Sequence, residues 1–244
     1  MKAIILAAGK GTRLKNVGFK TLKHLIPING IPYIGYILNN LKKSNIQDIG
    51  IVISQDDKIT PKIFKDGSGL GLKIQYIYQG NLRGTAMAIK SAQEFVGEEK
   101  FLVHLGSDMF ENNFQDAIKI FERSNPDAMI LTYAARDIHL HGMAVIENKK
   151  VKRVVEKPEK EISEWILTGC YLFTGQIFKA INLTSKSIKS LNKNEIVVTD
   201  AIQKMIDLNF NVLAYKTNGW WGVLRTKETF KEIAALLTKK ESKI

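Results

Sequence analysis

Residues 6–13, which read L-A-A-G-K-G-T-R, combine side chains and glycines that could do chemistry. They follow an apolar run over residues 2–6, which predicts a buried parallel strand. Glycines in such a loop let backbone N–H groups approach a polyphosphate closely, because glycine has no Cβ. An arginine adds a planar fork of donors for phosphate oxygens. We therefore predict that the phosphates of a nucleotide bind to Leu6, Ala7, Ala8, Gly9, Gly11, Thr12 and Arg13.

Two better-known glycine loops do not fit this spacing. A P-loop requires a hydroxyl residue after its lysine, but Lys10 is followed by Gly11. A dinucleotide-binding loop requires a third glycine at the position that Leu14 holds. An ordinary strand-to-loop turn can also contain two glycines. Thr12 and Arg13, directly after the N-terminal strand, favour phosphate binding over that simpler interpretation.

Two later segments place polar groups where apolar runs end. Asp108 follows the run 100–105, and a carboxylate at the carboxyl end of a strand, facing a phosphate loop, is suited to hold Mg²⁺. Gln79 ends another run, and its amide could pair with both donors and acceptors of a nucleobase. Gly84 would then let the flat base approach the backbone. A turn-forming aspartate and a strand-end glutamine are the alternative interpretations.

The elements that must position these groups alternate along the first half of the chain. Strands are predicted over 2–6, 49–54, 73–78, 100–105 and 128–134, and helices over 33–43, 84–95 and 114–123. This alternation predicts a parallel sheet covered by helices on both faces. Ligands of such sheets bind at the carboxyl ends of the strands.

The pattern changes after residue 135. Residues 142–146 and 151–156 predict a hairpin, 167–173 a further strand, and helices follow near 178, over 199–208 and over 227–237. We therefore predict one α/β domain, 1–244, with a Rossmann-like, mixed and mostly parallel sheet and an inserted antiparallel half. Its parts are a first half (1–135), a second half (136–225) and a C-terminal helix (226–244).

The motif L-A-A-G-K-G-T-R-L, followed by T-L-K-H-L-I-P-I, resembles the opening of the sugar-phosphate nucleotidylyltransferases, also called NDP-sugar pyrophosphorylases. The lysine of the second motif is Lys23, although Leu22 stands where that family has proline. The resemblance extends over nearly the whole chain, and it implies that 1–135 is the nucleotide-binding half and 136–225 the sugar-phosphate-binding half. It implies transfer of a nucleotidyl group from an NTP to a sugar 1-phosphate, with dTTP or UTP and glucose 1-phosphate favoured.

The resemblance also implies roles for individual residues. Lys23 would lie by the α-phosphate, Arg13 by the leaving pyrophosphate, and Mg²⁺ on Asp108 would bridge the phosphates. The base-reading segment Q-x-x-x-x-G-T-A corresponds to Gln79, Gly84 and Thr85. The segment E-K-P…T-G and the preceding glycine imply a sugar-phosphate site formed by Gly142, Glu156, Lys157 and Gly169.

The match weakens near the end of the chain. The family pattern W-x-D-[IV]-G-T-P-E contains a second carboxylate for the metal, and here we expect Gly222 at that position. We also expect the chain to lack the C-terminal left-handed β-helix that many relatives carry. A catalytically degenerate relative, which binds nucleotide or sugar phosphate as a regulatory subunit, is the alternative function.

Composition excludes other classes of protein. The chain has 244 residues, no apolar stretch long enough to span a bilayer and no pattern typical of a secretory signal, so we expect no membrane association. Its single cysteine, Cys170, excludes an internal disulfide and favours the cytoplasm. The net charge of +12 comes mostly from lysines spread along the chain, which favours solvated surfaces over nucleic-acid binding. A homo-oligomer is compatible with these properties.

Overall fold

The structure is a computed structural model that describes residues 1–9, 21–80, 84–134, 140–190 and 195–241. Its strands are β1 (Lys2–Leu6), β2 (Pro27–Ile28), β3 (Ile31–Pro32), β4 (Asp48–Ile53), β5 (Lys73–Tyr78), β6 (Phe101–Leu105), β7 (Asp108–Phe110), β8 (Ala128–Ala134), β9 (Gly142–Glu147), β10 (Lys150–Glu156), β11 (Trp165–Phe173), β12 (Val212–Lys216) and β13 (Trp221–Val223). Its α-helices are α1 (Tyr33–Lys43), α2 (Thr60–Phe64), α3 (Thr85–Ser91), α4 (Gln93–Val96), α5 (Gln115–Ser124), α6 (Gln176–Ser190), α7 (Val198–Asp207) and α8 (Lys227–Glu241).

Nine of these strands form one sheet in the order β5-β4-β1-β6-β11-β8-β12-β10-β9. The pairings from β5 to β6 are parallel, as predicted, and so is the pairing of β8 with β12. The other pairings are antiparallel. The α/β class is thus confirmed, but the sheet is more evenly mixed than the prediction of a mostly parallel one. One antiparallel pairing is the hairpin of β9 and β10, in which the chain reverses without a crossover helix. Strand β11 adds two more, because it runs antiparallel to both of its neighbours β6 and β8.

Both faces of the sheet are buried, because neighbouring side chains on a strand point to opposite faces. On β1, Ala3 and Ile5 pack into one apolar cluster with α1, α5 and α8. Ile4 packs into a second cluster with α3, α6 and α7. The prediction of helices on both faces is confirmed. None of the helices in the described ranges has the length and apolar character that a bilayer-spanning segment needs.

The predicted elements mostly lie where the sequence placed them. The hairpin of β9 and β10 is confirmed, and Asn148 and Lys149 form its turn with left-handed φ angles of 49° and 67°. The single helix predicted over 84–95 is two helices, which meet at Ala92. The strands β2, β3, β7 and β13 were not predicted, because two or three residues carry too little periodicity. The five-residue strand β12 and the short helix α2 were also not predicted.

His104 on β6 makes the stability of this core dependent on pH. Its ring packs edge-on against Phe110 and Phe114, and burial lowers the pKa of His104 to about 4. The unfolded chain takes up a proton near pH 6.5 and the folded chain does not, so stability is lost as the pH falls from about 6.5 towards 4. We expect the free energy of unfolding to drop by about 2 kcal/mol more, between pH 7.5 and 5, in this protein than in His104→Gln. Urea denaturation at both pH values tests this, and equal pH dependence in the two proteins would contradict it.

Candidate active site

A cavity of about 670 Å³ opens at the carboxyl ends of the four parallel strands β1, β4, β5 and β6. Each strand delivers polar groups or exposed backbone to it immediately after its last residue. The residues that line it are Leu6, Ala7, Ala8, Gly9, Lys23, His24, Ser54, Gln55, Asp56, Gln79, Gly80, Gly84, Thr85, Ala88, Leu105, Gly106, Ser107 and Glu195. This is the position at which parallel sheets bind ligands, and the volume suits a molecule of nucleotide size.

The described residues of the predicted nucleotide site meet in this cavity. Leu6, Ala7, Ala8 and Gly9 form its floor at the end of β1, and Gln79, Gly84 and Thr85 line another wall. Among the described residues, a Cβ on Gly9 would meet nothing within 4 Å. Gly11, Thr12 and Arg13 lie outside the described residues.

Gly84 and Thr85 also join the start of α3 to the segment around the start of α7. Gly84 has a φ of 104°, and a Cβ there would lie 2.6 Å from the backbone nitrogen of Ile196 and nearer still to its carbonyl oxygen. The Val198 N–H donates to the Thr85 hydroxyl at 2.8 Å. The glycine at 84 is therefore required by the neighbouring backbone, which is a different reason from the predicted approach of a base.

Lys23 reaches the cavity from a 3-10 helix, Lys23–Leu25, that a buried hydrogen-bond network anchors. His24 Nε2 lies 2.7 Å from the Thr60 hydroxyl, which donates to Asp57 Oδ2 at 2.6 Å. Burial lowers the pKa of His24, and the Asp57 carboxylate opposes that shift. This network fixes the backbone beside Lys23, so the lysine projects from a rigid support.

Asp108 directly follows Ser107, which lines the cavity, and is itself buried, with 3% of its surface exposed. It begins β7, a strand rather than the loop or turn that its sequence suggested. The Ser107 hydroxyl donates to Asp108 Oδ2 at 2.9 Å, and the Trp221 indole donates to Oδ1 at 3.1 Å. Burial raises the pKa of Asp108 to about 7, although these two hydrogen bonds and the cations of Lys23 and Arg225 favour its ionised form.

The register of β7 with β13 corrects the prediction about the second carboxylate. Val223, not Gly222, lies opposite Asp108, and a Cβ on Gly222 would point to Ile233 at 3.1 Å. If the family tryptophan is matched to Trp221, the expected aspartate also falls on Val223. The difference arises because two tryptophans are adjacent, and matching the family tryptophan to Trp220 puts the aspartate on Gly222. A carboxylate is still missing from this position.

The predicted sugar-phosphate residues make two close contacts, one between Gly169 and Asp108 and one between Gly142 and Glu156. Gly169 packs against Asp108, since a Cβ there would lie 2.8 Å from Asp108 Oδ1. Gly142 packs against Glu156, whose Oε2 accepts from the Thr199 hydroxyl at 2.7 Å. The carboxylates of Asp108 and Glu156 both raise the pKa of the Tyr171 phenol, after the larger effect of burial, so that phenol lies near both groups.

Lys157 follows Glu156 at the end of β10 and belongs to the same side of the site. Its ammonium lies 3.9 Å from Glu156 Oε1, and its backbone N–H donates to the His141 carbonyl at 3.2 Å. With a φ of 42°, its backbone is left-handed, which turns the chain sharply after the strand. The four residues predicted from E-K-P…T-G and the preceding glycine are thus neighbours of Asp108 or of one another, but none lines the cavity itself.

Sequence reasoning missed several residues of the site. Ser54, Gln55 and Asp56 follow β4, and the rule that ligands bind at the carboxyl ends of parallel strands could have found them. Trp221 lies 113 residues from Asp108 in sequence, and no local pattern indicates their hydrogen bond. Cys170 is buried, and burial raises its pKa well above the usual value, which fits the predicted small core residue rather than a nucleophile.

Comparison with known proteins agrees with this geometry. A family model described as nucleotidyl transferase matches residues 2–240. The chain is 31% identical over 223 residues to a glucose-1-phosphate thymidylyltransferase from Streptomyces griseus, a match that covers 91% of this chain and 61% of that protein. It is 28% identical to the UTP–glucose-1-phosphate uridylyltransferase AglF from Haloferax volcanii, with 90% and 89% covered.

Solved structures share the fold. A Bacillus anthracis protein assigned as a glucose-1-phosphate thymidylyltransferase superimposes with a TM-score of 0.87 at 27% identity, covering 97% of this chain and 94% of that one. The chain spans about three fifths of the length of several curated relatives that it matches. The family model, the relatives and the cavity at the strand ends together show that this chain belongs to the nucleotidyl transferase family.

Proposed function

We propose that this protein transfers a nucleotidyl group from an NTP to a sugar 1-phosphate and releases pyrophosphate. One observation carries the proposal: Lys23 lines a nucleotide-sized cavity, and the buried Asp108 directly follows Ser107, which lines the same cavity. The names of the relatives support dTTP or UTP as the nucleotide and glucose 1-phosphate as the acceptor. Localisation in the cytoplasm and assembly into a homo-oligomer stay predictions.

The two substrates would occupy two sides of the site. We assign residues 1–135 to the nucleotide, because the cavity lies at the ends of their parallel strands. We assign 136–225, the more antiparallel part, to the sugar phosphate, with Glu156 accepting from sugar hydroxyls and Lys157 neutralising the phosphate. Residues 226–244 would then be a C-terminal helix outside the reaction. In this division the mixed sheet is a Rossmann-like half with an inserted sugar-binding half.

The reaction requires no protein nucleophile. A phosphate oxygen of the sugar phosphate attacks the α-phosphorus of the NTP in line, and pyrophosphate leaves. The protein must hold two anions together and stabilise the charge of the transition state. Lys23, which lines the cavity, would contact the α-phosphate, and the buried surroundings of Asp108 would strengthen the electrostatic contacts in this region.

The residues present fit the predicted Mg²⁺ only in part. Asp108 offers one carboxylate, and Val223 opposite it offers no ligand. Within the described ranges, no group of three or more histidine, cysteine or acidic side chains could hold a metal by itself. A Mg²⁺ bound here would therefore take most of its ligands from substrate phosphates and water, which is usual for this ion. When bound, the ion would neutralise phosphate charge.

A pyrophosphate-release assay tests the proposed function. Purified protein would be given each of the common NTPs with glucose 1-phosphate and other sugar 1-phosphates, with Mg²⁺ present and omitted. We expect release that depends on both substrates and is fastest with dTTP or UTP. Tight nucleotide binding without turnover for any pair would instead establish the degenerate, regulatory alternative, which the valine at position 223 favours.

A further inference from the structure

The charges around Asp108 are unbalanced. One buried carboxylate faces the cations of Lys23 and Arg225, both close enough to lower its pKa against the effect of burial. Lys157 is linked to the same neighbourhood through its hydrogen bond to His141. Where the fold would allow a second carboxylate, opposite Asp108, stands Val223. Glu156 pairs with Lys157, so the three cations Lys23, Arg225 and Lys157 stand against the two carboxylates Asp108 and Glu156, and these groups together keep a net positive charge.

Arg225 is held in place by contacts on several sides. Its guanidinium donates to the Leu140 carbonyl at 2.8 Å, and its two terminal nitrogens lie 3.3 Å from His141 Nε2 and Nδ1. Its backbone N–H donates to the Thr229 hydroxyl at 3.0 Å, which fixes it at the start of α8. A guanidinium oriented in this way loses little freedom when it binds an anion.

A chain of contacts connects Arg225 to the groups already assigned to the substrate. The His141 ring lies 5.0 Å from the Trp221 indole, and that indole donates to Asp108. The His141 carbonyl accepts from Lys157. Leu224, next to Arg225, donates its N–H to the Ser107 carbonyl at 2.8 Å. Arg225, Lys157 and Asp108 are thus arranged around one His141–Trp221 pair.

We propose that Arg225 binds the phosphate of the sugar 1-phosphate, and the same phosphate in the NDP-sugar product, and so supplies positive charge where the site lacks a second carboxylate to hold a metal. This inference rests on the proposed function. A permanently charged, planar group suits this task, because it can donate two parallel hydrogen bonds to phosphate oxygens. The role is separate from the candidate metal ligand, Asp108.

The test measures binding rather than turnover. Calorimetry in EDTA would compare UDP-glucose and dTDP-glucose, which contain the sugar's phosphate, with UMP and dTMP, which do not. We expect Arg225→Gln to weaken binding of the better NDP-glucose about 10- to 100-fold and to leave the monophosphate within about twofold. Arg225→Lys, which keeps the charge, should retain part of the affinity. Arg153→Gln, on the exposed face of β10, is the matched control and should change neither.

The outcomes separate this inference from the proposed function. Equal affinity of Arg225→Gln and the unaltered protein for NDP-glucose would overturn the role of Arg225 alone. Equal losses for NDP-glucose and monophosphate in both Arg225 variants, with a lowered melting temperature, would show that the arginine only supports the fold. Failure of the unaltered protein to bind any of the four nucleotides, both in EDTA and in a repeat with Mg²⁺ added, would overturn the proposed function and this inference with it.

Discussion

Replacing Lys23 by alanine is expected to lower turnover about 10²- to 10³-fold without unfolding the protein. Lys23 lines the cavity and is close enough to Asp108 to lower its pKa, so its charge acts where the phosphates would meet. Removing one such preorganised charge raises the free energy of the transition state more than that of the bound substrates. Steady-state pyrophosphate release under saturating NTP and sugar 1-phosphate measures the effect.

Two further variants make the Lys23 result specific. Lys43→Ala removes an exposed lysine at the end of α1 and should leave turnover unchanged. Lys23→Arg keeps the charge and should recover part of the lost rate. The melting temperature of Lys23→Ala should stay close to that of the unaltered protein, because its neighbours His24, Thr60 and Asp57 keep their own network. Near-normal turnover in Lys23→Ala would remove the main support for the proposed mechanism.

Replacing Gly84 by alanine should cause the largest loss of stability. Its added Cβ would fall on the backbone of Ile196, which cannot move as a flexible side chain can. The φ of 104° is itself costly for alanine. The Ala86 N–H donates to the Ile196 carbonyl at 3.1 Å, so a shift there also breaks a hydrogen bond. We expect the free energy of unfolding to fall by about 4 kcal/mol or more, with loss of nucleotide binding.

Gly80→Ala is the matched control for this prediction. Gly80 lines the same cavity, but a Cβ there would meet no atom of the described residues within 4 Å. Urea denaturation should place Gly80→Ala within about 1 kcal/mol of the unaltered protein. Similar stability for the two glycine variants would contradict the close packing of α3 against the segment before α7.

The parts of the site that sequence could predict are those set by local rules. A strand that runs into Leu6, Ala7, Ala8 and Gly9 places its loop at the carboxyl edge of a parallel sheet, whatever else the fold contains. Asp108 was found because it follows another strand of the same sheet. In both cases the residue and the rule that positions it are close together in the chain.

The parts that could not be predicted depend on distant contacts. The indole of Trp221 meets Asp108 only because β13 pairs with β7, and three residues contain no signal for that pairing or its register. The missing carboxylate was placed at Gly222 instead of Val223 because the sequence alone does not show whether Trp220 or Trp221 matches the family tryptophan. The support of Lys23 by Asp57 and Thr60 likewise joins segments more than 30 residues apart, as the His24–Thr60 contact shows.

Strand β11 limits how substrate preference could be altered in this protein. It comes from the later part of the chain, yet it lies between β6 and β8 of the earlier part and pairs with both. An isolated fragment ending near residue 134 would leave two apolar strand edges exposed, which invites aggregation. Residues 136–225, which we assign to the sugar phosphate, therefore cannot be exchanged as a unit between proteins. A new acceptor preference would have to be introduced by individual substitutions, or by exchanging loops, within an intact sheet.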